Sequence, residues 1–227
     1  MSQEKKTESF SFKLQIFISS LIAFYEGVPI GHVEAGLRSG DLDAPFPEEM
    51  NRILVSRLAK WHFAPTELAR DNLLNESVPS NSIHITGNTV VDSLKGLIRL
   101  NPQQIENKKV DEITSKGSRL ILATIHRRES FGAPIEGICQ SLLKIVSENR
   151  DVDLLFPVHL NPKVREVVNR ILGGNPRIHL TDPLDYGEFI GALRSAYFVI
   201  TDSGGVQEEA PVFGVPVVLV REATERI

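Results

Sequence analysis

The chain has 227 residues, 41% of them hydrophobic and 24% charged, with a formal net charge of −4. These proportions describe an ordinary globular protein, and the lack of a long basic run argues against nucleic acid as a partner. Cys139 is the one cysteine, so no intrachain disulfide can form, and a reducing cytoplasm fits.

The first dozen residues are polar and mixed in charge and read as a loose tail. Leu14 to Tyr25 is the longest apolar run. It holds two serines and is too short to cross a bilayer, so no membrane partner is expected. Glu4 among the preceding lysines, and the lack of a small-x-small cleavage site, argue against a signal peptide. The run reads as a buried helix, Leu14 to Glu26. Val28 to Val33 follows as a strand. Pro47 opens a helix to about Lys60, with Met50, Ile53, Leu54, Leu58 and Ala59 at helical spacing. Trp61 to Ala64 is a strand, Thr66 caps a helix to about Asn75, Ile83 to Thr86 is a strand, and Val90 to Leu100 is a helix.

The polar segment Asn101 to Gly117 reads as a linker region with room for a short helix. Alternation then resumes. Strands at Arg119 to Ile125, Asp153 to Val158, Arg177 to Leu180, Tyr197 to Thr201 and Val215 to Val220 alternate with helices at Ala133 to Glu148, Pro162 to Ile171 and Tyr186 to Ser195. Such alternation implies parallel strands with helical crossovers, an α/β chain of two Rossmann-like lobes, 1–95 and 96–227.

Between the last two strands an apolar strand runs into Asp202-Ser203-Gly204-Gly205, and a short helix follows at once. A helix N-terminus carries unpaired N–H groups and a positive dipole end, and two glycines let an anion approach the backbone. Ser203 adds a hydroxyl donor. Glu208 and Glu209 stand one turn on, where a carboxylate accepts the hydroxyls of a ribose. A nucleotide diphosphate fits this pattern. A plain Gly-Gly turn with dipole-favourable glutamates fits it equally.

Three further clusters follow strand ends. Glu34 ends the second element and Glu48 begins a helix; two carboxylates at a cleft can divide acid and base work. By spacing alone, Glu48 with Arg52 and Glu34 with Arg38 read first as helical or local ion pairs. His126-Arg127-Arg128 offers a general acid and a diphosphate clamp, or a solvated loop. His159 stands beside Asn161, whose readier role is to cap the next helix. His62, His84 and His179 read as structural. No metal-ligand spacing, Walker loop or nucleophile elbow occurs.

Taken together, these stretches resemble the non-hydrolysing UDP-N-acetylglucosamine 2-epimerases. The match rests on Gly31-His-Val-Glu-Ala-Gly-Leu-Arg-Ser-Gly-Asp41, Pro47-Glu-Glu-Met-Asn-Arg52, Thr86-Gly-Asn-Thr-Val-Val-Asp92 and His126-Arg-Arg-Glu-Ser-Phe-Gly132. It continues through Pro157-Val-His-Leu-Asn-Pro162, Asp202-Ser-Gly-Gly-Val-Gln-Glu-Glu-Ala-Pro211 and Arg221-Glu-Ala-Thr-Glu-Arg226, in unbroken order. The resemblance implies two Rossmann-like lobes in a glycosyltransferase-B arrangement, both incomplete here. It implies inversion at C2 of UDP-GlcNAc to UDP-ManNAc, by elimination of UDP and re-addition, with no redox cofactor and no metal. It implies a homodimer, with UDP-GlcNAc as substrate and as allosteric activator. By position, Glu34, Glu48 and His126 match catalytic residues. Arg52, Phe189, Ser203, Gly204, Gly205, Glu209 and Arg226 match substrate-binding residues, and Arg127 and His159 match an allosteric site.

The family's opening strand, its phosphate loop and its last helices have no counterpart in this sequence. The register of a family aspartate falls at Phe12. The chain therefore reads as the middle of such an enzyme, expected to need a polypeptide that supplies the missing ends. Two other readings stay open: an impaired piece that only binds UDP-sugar, and a glycosyltransferase of the same architecture.

Overall fold

The computed structural model describes residues 15–100, 102–105, 107–126 and 132–220. Its described residues form two compact units, one ending at Thr89 and one beginning at Val90.

The first unit opens with helix α1 over residues 15–25. It continues through β1 (Gly31–Val33), α2 (Glu48–Leu58), β2 (Trp61–Ala64), α3 (Glu67–Asn75) and β3 (Ile83–Ile85). The three strands are parallel in the order β1-β2-β3, as helical crossovers require. Thr66 caps α3 as expected, its side chain accepting from the Ala69 N–H. The core is small: Ala35, Ala64, Ala69, Leu73 and Val78. His62 is structural, buried, with Nε2 donating to the Ser56 carbonyl at 2.9 Å.

Helix α1 forms where expected but is not buried. Ile16, Ile22, Phe24 and Tyr25 are exposed. Its apolar composition signals a helix made for cover; no described element lies over these side chains.

The second unit contains α4 (Thr89–Leu100), α5 (Lys108–Thr114), β4 (Arg119–Thr124), α6 (Ala133–Glu148), β5 (Val152–Pro157), α7 (Pro162–Leu172), β6 (Ile178–Thr181), α8 (Tyr186–Ser195), β7 (Phe198–Thr201), α9 (Gly204–Glu209) and β8 (Val217–Leu219). All its strands are parallel, in the order β6-β5-β4-β7-β8. Side chains alternate across a strand, and β4 shows how both faces are used. Ile121 and Ala123 pack with Ile135, Cys139 and Leu142 of α6 and Val164 and Val168 of α7. Leu120 and Leu122 pack on the other face with Val110 and Ile113 of α5 and Ile190 and Leu193 of α8. Cys139 is fully buried, and its thiol is pushed up to about 11, chiefly by burial and secondarily by Glu136.

The segment 101–117 is not a linker. Ile105, Val110 and Ile113 are core residues of the second unit. Asn107 caps α5, accepting from the N–H groups of Lys109 and Val110, and its Nδ2 donates to the Glu188 carbonyl of α8. The lysines and acids that suggested a linker lie on the outer side of a packed helix. A division at 95 would fall inside α4. The units part at the start of that helix, a few residues before the expected division, and Leu94 packs in the second core.

Sheet order in the second unit reverses direction between β4 and β7. In open α/β sheets ligands settle at such a switch point, outside the carboxyl ends of the strands. His126 follows β4 there, and Ser203 to Gly205 follow β7.

Candidate functional site

In the first unit the chain leaves β1 at Glu34 in a left-handed conformation, with φ +59°. A non-glycine residue in that region costs on the order of 1–3 kcal/mol and persists only where its surroundings hold it. They do so here on both sides. The chain rejoins β2 at once, with the Ala35 N–H donating to the Phe63 carbonyl at 3.1 Å. Gly36, at φ +85°, lies so close to α3 that an added Cβ would sit 2.0 Å from the Ala69 carbonyl oxygen. Asn72 Nδ2 donates to the Gly36 carbonyl at 3.0 Å.

Arg38 then grips the end of α3. Its Nε and Nη2 donate to the two oxygens of Glu76 at 2.6 and 2.9 Å, and it also reaches the Leu37 carbonyl and Ser56 Oγ. This bidentate contact holds the Glu76 carboxyl below the usual range. The loop next turns onto α2. Ser39 and Gly40 donate their N–H groups to Glu49 Oε1 at 3.0 and 3.2 Å, and Arg52 Nη1 lies 3.5 Å from Glu49 Oε2. The loop bearing Glu34 is thus fastened to the turn of α2 whose first residue is Glu48. His32, on β1, is held near 4, first by burial and then by His62, Arg38 and Arg52, so it is neutral at pH 7.

In the second unit the two strand ends at the switch point meet through Asp202. This carboxylate is fully buried. Its two oxygens each accept the His126 N–H at 3.1 Å, and Oδ1 lies 3.2 Å from His126 Nδ1. The imidazole is half-exposed, so a buried anion orients an accessible ring. Ser203 N-caps α9 with its own N–H donating to Thr201 Oγ1 at 2.9 Å. Its hydroxyl makes no capping bond to the helix. Glu209, at the last turn of α9, is buried and accepts from the Tyr186 hydroxyl at 2.9 Å. Burial pushes its carboxyl up, and the Tyr186 bond partly offsets this. Phe189 stands one turn after Tyr186 on α8, partly buried against the core.

His159 follows β5, the strand next to β4, and its Nδ1 accepts from the Asn161 N–H at 3.1 Å. Asn161 caps α7, accepting from the Lys163 N–H. Arg127 and Arg226 lie outside the described residues. The residues that sequence reasoning passed over are Asp202, Glu49 and Tyr186. Asp202 carries a faint signal, a charge closing an otherwise apolar strand; Glu49 carries only its helical spacing to Arg52, and Tyr186 none, because its partner Glu209 is distant in sequence.

Parallel strands covered by helices, with polar side chains collected at the carboxyl ends of β4 and β7, define a Rossmann-like α/β protein. The chain belongs to the UDP-N-acetylglucosamine 2-epimerase family, whose profile matches residues 13–227. The UDP-N-acetylglucosamine 2-epimerase of Salmonella typhimurium is 49% identical over 212 residues, which are 92% of this chain and 56% of that protein. Among solved structures, a Staphylococcus aureus protein determined with UDP superposes with a TM-score of 0.84 at 48% identity, covering 92% of this chain and 55% of the other. The Neisseria meningitidis UDP-GlcNAc 2-epimerase bound to UDP-GlcNAc gives 0.82 at 41%, covering 92% and 57%. These neighbours are of glycosyltransferase-B type. The chain spans about half the length of the relatives it matches.

Proposed function

We propose that the chain carries the nucleotide-binding and acid–base residues of an enzyme that interconverts UDP-GlcNAc and UDP-ManNAc. The observation that carries this reading is the pairing of His126 and Ser203 to Gly205 across the switch point, in a chain of this family. In this reading the diphosphate lies against Ser203, Gly204 and Gly205, and Glu209 accepts the ribose hydroxyls. Phe189 lies near the uracil, and Arg226 and Arg52 contact the substrate. Inversion at C2 removes a proton from one face and returns one to the other, with UDP eliminated and re-added between. Glu34 and Glu48 are the carboxylates for that proton traffic, and His126, oriented by Asp202, serves the departing diphosphate. Arg127 and His159 belong to a second nucleotide-sugar site, where UDP-GlcNAc acts as activator. The intact enzyme works as a homodimer in the cytoplasm. Among the described residues no helix is long and apolar enough to cross a membrane.

Calorimetry with UDP tests the nucleotide site. Glu209→Ala is expected to weaken binding by roughly 1–3 kcal/mol, the cost of lost ribose hydrogen bonds. Unchanged affinity removes Glu209 from the site.

A further inference from the structure

Glu209 is an unusual place to bury a carboxylate. An ionised carboxylate has about four acceptor positions, and buried ones are ordinarily satisfied by several donors or a cation. Among the described residues Glu209 has one donor, the Tyr186 hydroxyl, at Oε1. Among the described residues, burial and the Tyr186 hydroxyl are what act on its carboxyl. Ala210–Phe213, which continues α9, is apolar. On α8, Asp185 and Glu188 are closed on each other in the capping box. On its own helix the neighbouring charge is Glu208.

Tyr186 is built to reach it. It is the first residue of α8, and the Asp185–Glu188 capping box fixes that turn while Ile190 and Leu193 anchor the helix in the core. The ring lies largely at the surface and the hydroxyl points inward. That hydroxyl keeps its proton, because burial and the Glu209 contact push it up to about 12.

Resting on the reading of Glu209 as a ribose acceptor, we propose that Tyr186 is a positioning residue of the nucleotide site. Its hydroxyl pins Oε1 of Glu209, leaving Oε2 to take the hydroxyl pair of a nucleoside diphosphate. The bond also works against the desolvation of Glu209, so it favours the ionised, accepting form of the carboxylate. Removing the hydroxyl leaves desolvation unopposed. Glu209 then takes up a proton at higher pH, and a protonated carboxyl loses acceptor capacity.

The test is Tyr186→Phe, which keeps the ring. First, the Glu209 carboxyl is titrated by carbon-13 NMR without ligand, in the parent chain and the variant. An upward displacement in Y186F is expected; superposable titrations overturn the proposal. Second, UDP affinity is measured from pH 8 to pH 6 for the parent, Y186F and Glu209→Ala. Y186F is expected to bind about fivefold more weakly at pH 8, with the deficit growing as pH falls. A uniform deficit with no pH dependence marks a structural role and overturns the proposal. Sensitivity to Glu209→Ala with indifference to Y186F overturns the role of Tyr186 alone. Indifference to both substitutions overturns the nucleotide reading, and the role of Tyr186 with it.

Discussion

Asp202 receives the His126 backbone N–H on both of its oxygens, at 3.1 Å each, while its Oδ1 sits 3.2 Å from the same residue's Nδ1. One buried carboxylate at the end of β7 therefore sets both the backbone and the ring of the residue that ends the β4 excursion. The strand pairing Thr124↔Thr201 brings the two residues to the same level.

Asp202→Ala removes the acceptor of the partly buried His126 N–H and is expected to destabilise the second unit by about 1–3 kcal/mol. Asp202→Asn keeps one oxygen and is expected to cost less. Hydrogen exchange at the β4 and β7 amides measures both. Equal losses in the two variants mean that the single oxygen kept by asparagine cannot stand in for the carboxylate; a parent-like Asp202→Asn means that shape and one acceptor suffice.

In the intact enzyme, Glu34→Gln and Glu48→Gln are each expected to slow solvent deuterium entry at C2 of the nucleotide sugar by about a hundredfold or more. Exchange at the parent rate in both variants assigns these carboxylates to structure alone.

His32 ties the first unit to pH. Its folded value is lowered to about 4 from an unfolded 6.5, so the unfolded chain binds the extra proton between those values. Stability rises with pH wherever the unfolded state holds more protons, so the His32 contribution is present above pH 6.5 and is lost as pH falls towards 4. The full loss is roughly 3 kcal/mol at 1.36 kcal/mol per unit. Urea titrations followed by Trp61, the one tryptophan, are expected to show a smaller acid loss in His32→Gln than in the parent. Equal slopes mean that His32 does not carry the effect.

Two glycines separate contact from conformation. Gly36→Ala puts a Cβ against the Ala69 carbonyl at a positive φ, and a loss above about 2 kcal/mol is expected. Gly40 has a similar φ of +79° and open space around it, so Gly40→Ala is expected to cost only the conformational part, about 1 kcal/mol. Trp61 fluorescence again reports both. Equal costs would deny the tight approach of the loop to α3.

Arg38→Ala breaks a largely buried bidentate pair and is expected to cost about 3 kcal/mol. Arg38→Lys keeps the charge but not the fork and is expected to recover little of it. Full recovery by lysine would mean that charge alone matters at Glu76.

Much of the second unit was legible in the sequence because its signals are local. Tyr186 to Ser195 and Ala133 to Glu148 are helices to the residue, and Asn161 and Thr66 cap as their chemistry demands. The misreadings came where packing overrides composition. Segment 101–117 looks polar because only Ile105, Val110 and Ile113 face inward. Helix α1 looks buried because sequence reports apolarity without reporting what covers it. At the candidate site, the residues singled out from sequence that lie at strand ends are His126 after β4 and Ser203 to Gly205 after β7. The contact of Tyr186 with Glu209 and that of Glu49 with the Ser39–Gly40 turn were not foreseen, since each joins separate elements.

The fully buried Cys139 gives the molecule a built-in clock. Its sulfur lies in the core between α6 and the central sheet, and burial keeps it in the unreactive thiol form at neutral pH. A disulfide reagent can reach it only when the second unit opens. The rate of thiol labelling then counts openings of that unit alone. Paired with Trp61 in the first unit, it lets the two halves of one chain be timed separately in one tube, without adding a label to either.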